Sequence, residues 1–134
     1  MTKLEDIEGV GKVYAEKLGF AGVSTEEHLL TMGATPKGRK EIAEKAGIGE
    51  AMILEWVNRA DLARVKGIGS EYADLLEAAG VDTVVELSKR MPANLLAKMT
   101  EVNEAKKLVR KLPVLSQVEA WVKEAKELPR VVSY

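Results

Sequence analysis

Hydrophobic positions recur at helical spacing along most of the chain. The clearest stripe begins at Met52, from which apolar residues follow at steps of one, three, one and three as far as Ala60. That spacing is typical of the buried face of a helix. A comparable stripe runs from Val118 to Leu128. No useful length of sequence alternates apolar and polar residues with the period of two that strands require. The pattern therefore predicts an all-α protein.

Residues that favour helix starts divide these stripes into separate elements. A proline is tolerated in the first turn of a helix, so Thr35 is predicted to cap a helix that begins at Pro36. Side chains at Ser24 and Asp82 are predicted to cap two further helices, because their oxygens accept hydrogen bonds from free amides. Thr2 is predicted to cap a short first helix.

Two predictions concern the last third of the sequence. The apolar spacing from Leu95 to Leu112 predicts one long helix, or one interrupted near Thr100, that ends before Pro113, because a proline cannot continue a helix. A last helix is predicted to open near Ser116, and residues 128–134 are predicted to form an extended tail.

One glycine-containing stretch occurs twice. Residues 65–69 (VKGIG) lead at once into an amphipathic segment, and residues 7–11 (IEGVG) do the same 58 positions earlier. Residue types match at nine pairs of positions with this offset: Gly9/Gly67, Gly11/Gly69, Tyr14/Tyr72, Ala15/Ala73, Leu18/Leu76, Gly22/Gly80, Val23/Val81, Thr25/Thr83 and Leu29/Leu87. We therefore predict an internal duplication, with one compact domain over residues 1–134 made of repeats at about 1–60 and 61–134.

Charge and composition limit the classes of function. The net charge of −1 argues against a strongly basic nucleic-acid binder, so such a role must depend on local patches. The chain has no cysteine, which excludes disulfides and thiolate metal sites. No apolar run reaches the roughly 18 residues of a membrane helix, and the first residues lack a signal-peptide pattern. We expect a soluble, cytoplasmic protein that does not engage membranes.

Two glycine turns and one proline-led helix are the candidate binding sites. At each glycine turn we expect backbone amides to point outward at a helix start, where free N–H groups and the helix dipole suit a phosphate oxygen. Lysine side chains beside the turns are placed to reach a neighbouring phosphate. The candidates are Gly9, Gly11 and Lys12 in the first turn, Lys66, Gly67, Gly69 and Ser70 in the second, and Lys37, Arg39 and Lys40 at the proline-led helix.

A purely structural interpretation of these features stays open. The glycines permit a tight turn between helices without any ligand, and the acidic neighbours Glu8 and Glu71 favour that interpretation. A further basic cluster is predicted to line helix faces near a helix C-terminus, where a solvated surface is the favoured interpretation. Its members are Lys106, Lys107, Arg110 and Lys111.

The chemically active side chains form no catalytic or metal-binding pattern. His28 is the only histidine of the sequence, and neither a metal-ligand set nor a nucleophile accompanies it. Tyr14 stands where the third glycine of a dinucleotide-binding fingerprint belongs. Trp56 and Trp121 lie on apolar stripes and are predicted to pack in the core. We expect a non-catalytic protein without metal or cofactor.

The repeated pattern aliphatic-x-Gly-aliphatic-Gly-x-x-x-Ala-x-x-Leu, at residues 7–18 and 65–76, resembles the helix-hairpin-helix motif of DNA repair, recombination and replication proteins. The whole chain is similar to a mostly bacterial family of tandem helix-hairpin-helix proteins, grouped as a domain of unknown function. The resemblance implies an all-α, SAM-like compact domain that binds nucleic acid, with DNA favoured, through phosphate contacts and without reading sequence. A protein-interaction or scaffolding module with the same fold is the alternative.

Overall fold

The structure is a computed structural model of the chain. It describes Leu4 and residues 10–133, and of Ser70 it describes the backbone alone. This part contains eight α-helices and no β-strand, so the all-α prediction is confirmed. The predicted cap at Thr2 lies outside the described residues. The helices are α1 Gly11–Phe20, α2 Glu26–Met32, α3 Pro36–Ala46, α4 Glu50–Leu62, α5 Ser70–Ala78, α6 Val84–Ser88, α7 Pro92–Lys106 and α8 Leu115–Glu127.

The chain divides into two compact units, one of which takes in both early and late residues. The first unit ends at Asp61 and also includes the segment that begins at Arg130, whereas the second unit is Leu62–Pro129. In the first unit, α1 and α2 pack against α3. Its core is built from buried apolar side chains, among them Leu4, Leu18, Leu29, Ile42, Ile53, Trp56 and Val132.

The second unit has its own core. Helices α5 and α8 pack against α7, and α6 packs against α8. The buried side chains include Leu62, Ile68, Leu75, Leu87, Leu95, Met99 and Trp121. The prediction that the two tryptophans are core residues is confirmed, because Trp56 and Trp121 are each only 2% exposed.

Each unit contains a tyrosine packed on its tryptophan in the same way. In the first unit the rings of Tyr14 and Trp56 are 5.2 Å apart with an interplanar angle of 55°. In the second unit the rings of Tyr72 and Trp121 are 5.2 Å apart at 54°. Tilted aromatic pairs at this separation are favourable beyond the area that they bury.

Threonine side chains cap three of the helices. Thr35 accepts a hydrogen bond from the Gly38 amide at 3.1 Å, which confirms its predicted role. The predicted caps Ser24 and Asp82 are wrong by one residue, because the hydroxyls that accept from helix amides belong to Thr25 and Thr83. Both threonines have the extended backbone that a capping residue requires. The Ser24 hydroxyl bonds to the His28 ring instead.

The long helix predicted up to Leu112 is wrong at its C-terminal end. Helix α7 stops at Lys106, and Lys107 adopts the left-handed conformation with φ of 51°. The Asn103 side chain then bonds to both backbone groups of Val109, donating to its carbonyl and accepting from its amide. Because the chain leaves the helix here, Lys106 and Arg110 do not share a helix face as the sequence predicted. The last helix begins at Leu115, within one residue of its predicted start.

Hydrogen bonds hold the segment after Pro129 in the first unit. The Ser133 amide and hydroxyl both donate to the Ala34 carbonyl, at 2.7 and 3.2 Å. The Arg39 guanidinium donates to the Ser133 carbonyl at 2.7 Å. Val132 is buried in the first core. The sequence predicted that this segment is not helical, and the structure agrees. Its packing against the first unit was not predicted.

One carboxylate in the first unit is held in an unfavourable setting. Burial raises the pKa of Glu26 above its ordinary value of 4.5, and repulsion from Glu27 adds to the increase. The folded protein therefore holds a proton on Glu26 more tightly than the unfolded chain does, and the free energy of unfolding falls as pH rises through that raised pKa.

We expect Glu26→Gln to raise the melting temperature at pH 7, because the amide carries no charge to desolvate. The gain should shrink to nothing as pH falls below 4.5, where Glu26 is protonated in both states. Calorimetry at pH 7 and pH 3.5 measures the difference. Glu44→Gln, at an exposed position on α3, is the control for loss of a negative charge. Equal gains in both variants at pH 7 would contradict the assignment.

Candidate functional site

The first glycine turn leads into an open helix start. Gly11 has φ of +64° and begins α1, and among the described residues no atom beyond its chain neighbours and its own helix backbone lies within 4 Å of a Cβ built on it. Gly11 and Lys12 are both exposed. The first turn of α1 contains no acidic residue, and the N-cap residue Val10 makes no side-chain hydrogen bond to the helix. Gly9, the other glycine of this turn, lies outside the described residues.

This helix start has the properties of an anion-accepting surface. The first amides of any α-helix lack an intrahelical acceptor, and the dipole of the helix makes that end electropositive. Lys12, in the same turn of helix, is exposed to solvent. An oxygen of a phosphate group would find the first amides of the helix and a lysine here.

The solvent-facing side of α1 is also partly apolar. Val13 is 67% exposed and Phe20 is 77% exposed, and their spacing of seven residues places them on one face. Lys17 lies between them, with its ammonium 5.6 Å from the centre of the Tyr14 ring. Helix α1 turns Leu18 toward the core and leaves Val13 in solvent.

The second glycine turn is bonded to a carboxylate of the chain itself. The Lys66 amide donates to Oε2 of Glu124, on α8, at 3.0 Å. Gly67, with φ of +92°, lies against Trp121, because a Cβ built on it would be 3.0 Å from the indole Nε1. Glu71 adds an acidic side chain in the first turn of α5. An anion from solution would meet negative charge at this turn.

For the remaining candidates of the second turn, the structure gives exposure and backbone conformation but no contact that bears on anion binding. Lys66 and Gly69 are exposed, and Gly69 precedes α5 in an extended conformation without a side-chain cap. Ser70 is the first residue of α5. In the part of the chain that the structure describes, Glu124 bonds to the second turn; Glu8, the counterpart of Lys66 in the first turn, lies outside the described residues.

The proline-led helix is a weaker anion site than its sequence predicted. Pro36 has no N–H to offer, and the Gly38 amide is already bonded to Thr35. Lys37 and Lys40 are exposed on α3. The amide donors at this helix start are thus largely used within the protein.

Arg39 is a correction to the predicted phosphate-binding residues. It is only 5% exposed, and its guanidinium donates to the carbonyls of Gly33 at 2.8 Å and Ser133 at 2.7 Å. A side chain held in this way does not extend to a ligand. Arg39 instead joins the α2–α3 connection to the segment after Pro129.

Sequence patterns gave no indication of Glu124 or of the burial of Arg39. Glu124 lies on α8, 58 positions from the amide that it accepts from, and an acidic residue on the polar side of a helix is ordinarily solvated. Arg39 stands close to two lysines that are exposed. Only the fold distinguishes these residues from their neighbours.

Metal binding and membrane insertion have no support in the described residues. In that part of the chain, no group of three or more His, Cys, Asp or Glu residues could hold a metal ion. None of the helices described combines the length and the apolar character needed to cross a membrane.

The fold and its turns define a class of all-helical protein with two compact units, each containing a glycine turn that leads into a helix. The chain belongs to the family described as Domain of unknown function (DUF4332), whose model matches residues 8–128. No curated protein matches the chain. No solved structure matches it either.

Proposed function

We propose that the protein binds nucleic acid, with DNA as the favoured ligand, by contacting phosphates without reading the base sequence. The observation that carries the proposal is the open start of α1, where Gly11 leaves space and no acidic residue stands in the first turn. Lys12 supplies a cation beside these amides. Amide and lysine contacts to phosphates position a protein on a duplex but carry no sequence information. The proposal assigns no catalytic step.

We propose in addition that the chain is a helix-hairpin-helix protein and that its two halves arose by internal duplication. These two proposals are supported by a shared arrangement: each unit has a glycine turn followed by a helix whose tyrosine packs on a buried tryptophan. The centres of the two rings are 5.2 Å apart in both units. Duplicated sequences would produce this equivalence without further assumptions. We infer that the two turns had one origin and that Glu124 now distinguishes the second from the first.

Binding of this kind should weaken with salt in a defined way. Each neutralised phosphate releases condensed counterions, so the logarithm of affinity falls linearly with the logarithm of salt concentration. Fluorescence anisotropy with a labelled short duplex, titrated at several salt concentrations, measures both affinity and slope. A matched single strand shows whether duplex DNA is preferred.

We expect Lys12→Glu to weaken duplex binding by about tenfold and to reduce the salt slope by about 1, because one phosphate contact is lost. Lys45→Glu is the matched control, since Lys45 is an exposed lysine of the first unit in the last turn of α3. Circular dichroism should show both variants folded. Equal affinities in the two variants, or no binding by the unmodified protein at about 50 mM salt, would contradict the proposal.

A second candidate function, protein interaction, is favoured by the apolar side of α1. Exposure of 67% at Val13 and 77% at Phe20 leaves two large apolar side chains on one helix face. Such residues are common in protein contacts, where aromatic side chains contribute much of the binding energy. A Val13→Ser, Phe20→Ser double variant separates the apolar face from the phosphate contacts: phosphate binding through the first turn predicts unchanged duplex affinity, and a loss of affinity would show that the apolar face takes part in duplex binding.

A further inference from the structure

The connection between α7 and α8 is strongly cationic. Residues 106–111 read KKLVRK, with four basic residues and no acidic one. All four basic side chains are exposed. Within the described part of the chain none of them forms an ion pair, whereas the nearby Glu101 pairs with Lys98 at 3.9 Å. We call residues 106–111 the basic loop.

The backbone of the basic loop is held in place at two points. The Asn103 side chain bonds to the amide and the carbonyl of Val109, at 3.0 and 3.2 Å. The Tyr72 hydroxyl, on α5, donates to the Lys111 carbonyl at 3.1 Å. Val109 is buried and Leu108 packs against the second core. The cations therefore project from a fixed backbone, which reduces the ordering cost of binding.

Lys107 has a conformation that its side chain does not favour. It is the residue after α7 and has φ of 51° and ψ of 49°, and it is the sole non-glycine residue of positive φ in the part described. Glycine is the usual residue at such a position, since it has no Cβ to clash. The turn itself does not require a lysine. A strained lysine at an exposed position is consistent with a role outside the fold.

We propose that the basic loop is a second contact surface for the phosphate backbone of nucleic acid. This inference rests on the proposed function for the identity of the ligand, but it uses different residues in the other unit. Four cations on six residues match the dense, regular negative charge of a nucleic acid, which a duplex presents about every 1.7 Å along its axis. Arg110 can bond two oxygens of one phosphate through its planar guanidinium.

A membrane surface fits the basic loop less well. Val114 and Leu115 are exposed just beyond it, at 54% and 43%, but neither is an aromatic residue of the kind that anchors proteins at a lipid interface. Stable membrane attachment requires a second strong signal in addition to a basic patch. Nucleic acid is thus the favoured partner, and anionic vesicles become an arm of the test.

The test compares two double variants of equal charge. Arg110→Gln with Lys111→Gln removes two cations from the basic loop, and Lys123→Gln with Lys126→Gln removes two exposed cations from α8. Anisotropy on a short duplex should show at least about a tenfold loss of affinity at low salt for the loop variant and a slope smaller by about 2. The α8 variant should stay within about twofold of the unmodified protein.

Lys107→Gly separates binding from folding. We expect its melting temperature to rise by about 3 °C, because the strained residue is replaced. Its duplex affinity should fall about threefold and its salt slope should decrease by about 1. A structural role alone would raise the melting temperature and leave the slope unchanged, which would overturn the proposal for this residue.

Other outcomes are equally decisive. Loop and α8 variants of equal affinity would overturn the inference, and so would loop variants that lose binding to phosphatidylserine vesicles but keep duplex binding. If Lys12→Glu has no effect while the loop variants weaken binding, the proposed role of the first turn fails and the basic loop stands. The reverse result would retain the first turn and overturn the basic loop.

Discussion

Replacement of Gly67 by valine is expected to destabilise the second unit by about 3 kcal/mol. Gly67 has φ of +92°, where any residue with a Cβ is strained, and that Cβ would lie 3.0 Å from Nε1 of Trp121. Trp121 is buried against Tyr72 and cannot move away without disturbing the core. The left-handed backbone and the overpacking contribute separately, and a β-branched side chain increases both.

The neighbouring glycine of the same turn supplies the control. Gly69 has φ of −97°, and no other atom lies within 4 Å of the position that a Cβ would take there, so Gly69→Ala should change stability by less than about 0.5 kcal/mol. Urea denaturation followed by circular dichroism measures both variants without relying on tryptophan emission. If Gly67→Val unfolds at the same urea concentration as Gly69→Ala, the described geometry of the second turn is wrong.

Arg39→Ala is expected to destabilise the first unit by about 3 kcal/mol. The substitution removes a buried cation that bonds to the carbonyls of Gly33 and Ser133, and each loses a charged donor. Hydrogen bonds that involve charged groups are worth about 1.5–3 kcal/mol. The segment containing Val132 would also lose one of its attachments to the first unit.

Lys40→Ala is the matched control, because Lys40 is the next residue on α3 and is exposed. Its removal should change stability by less than about 0.5 kcal/mol. Urea denaturation again measures the difference, and anisotropy on a duplex adds a second readout. An Arg39→Ala variant that keeps its stability but loses duplex affinity would show that Arg39 is a ligand-binding residue after all.

Much of the fold could be predicted from the sequence because it depends on local signals. The apolar stripe from Met52 to Ala60 and the Thr35 cap are properties of neighbouring residues, and both are confirmed. The end of α7 could not be predicted, because Lys107 is a residue type that seldom adopts a left-handed backbone. Pro113 is the residue from which the sequence predicts the end of this helix, but the helix ends earlier, at Lys106.

The candidate site was less predictable because its character depends on contacts between distant residues. Nothing near Lys66 in the sequence indicates that its amide is bonded to Glu124. Arg39 is bonded to a carbonyl that lies 94 positions further along the chain. The two turns share a glycine pattern, but the second is bonded to a carboxylate from α8, and we therefore propose the first turn as the one open to an anion.

The most direct test of the account is an NMR titration of the ¹⁵N-labelled protein with a short unlabelled duplex. The amide resonances of Gly11, Lys12 and Val13 are expected to shift as duplex is added, because phosphate oxygens accept from the open start of α1. The amide resonance of Lys66 should not shift, because this amide is already bonded to Glu124. Shifts at Lys66 together with unchanged resonances at Gly11 and Lys12 would contradict the account.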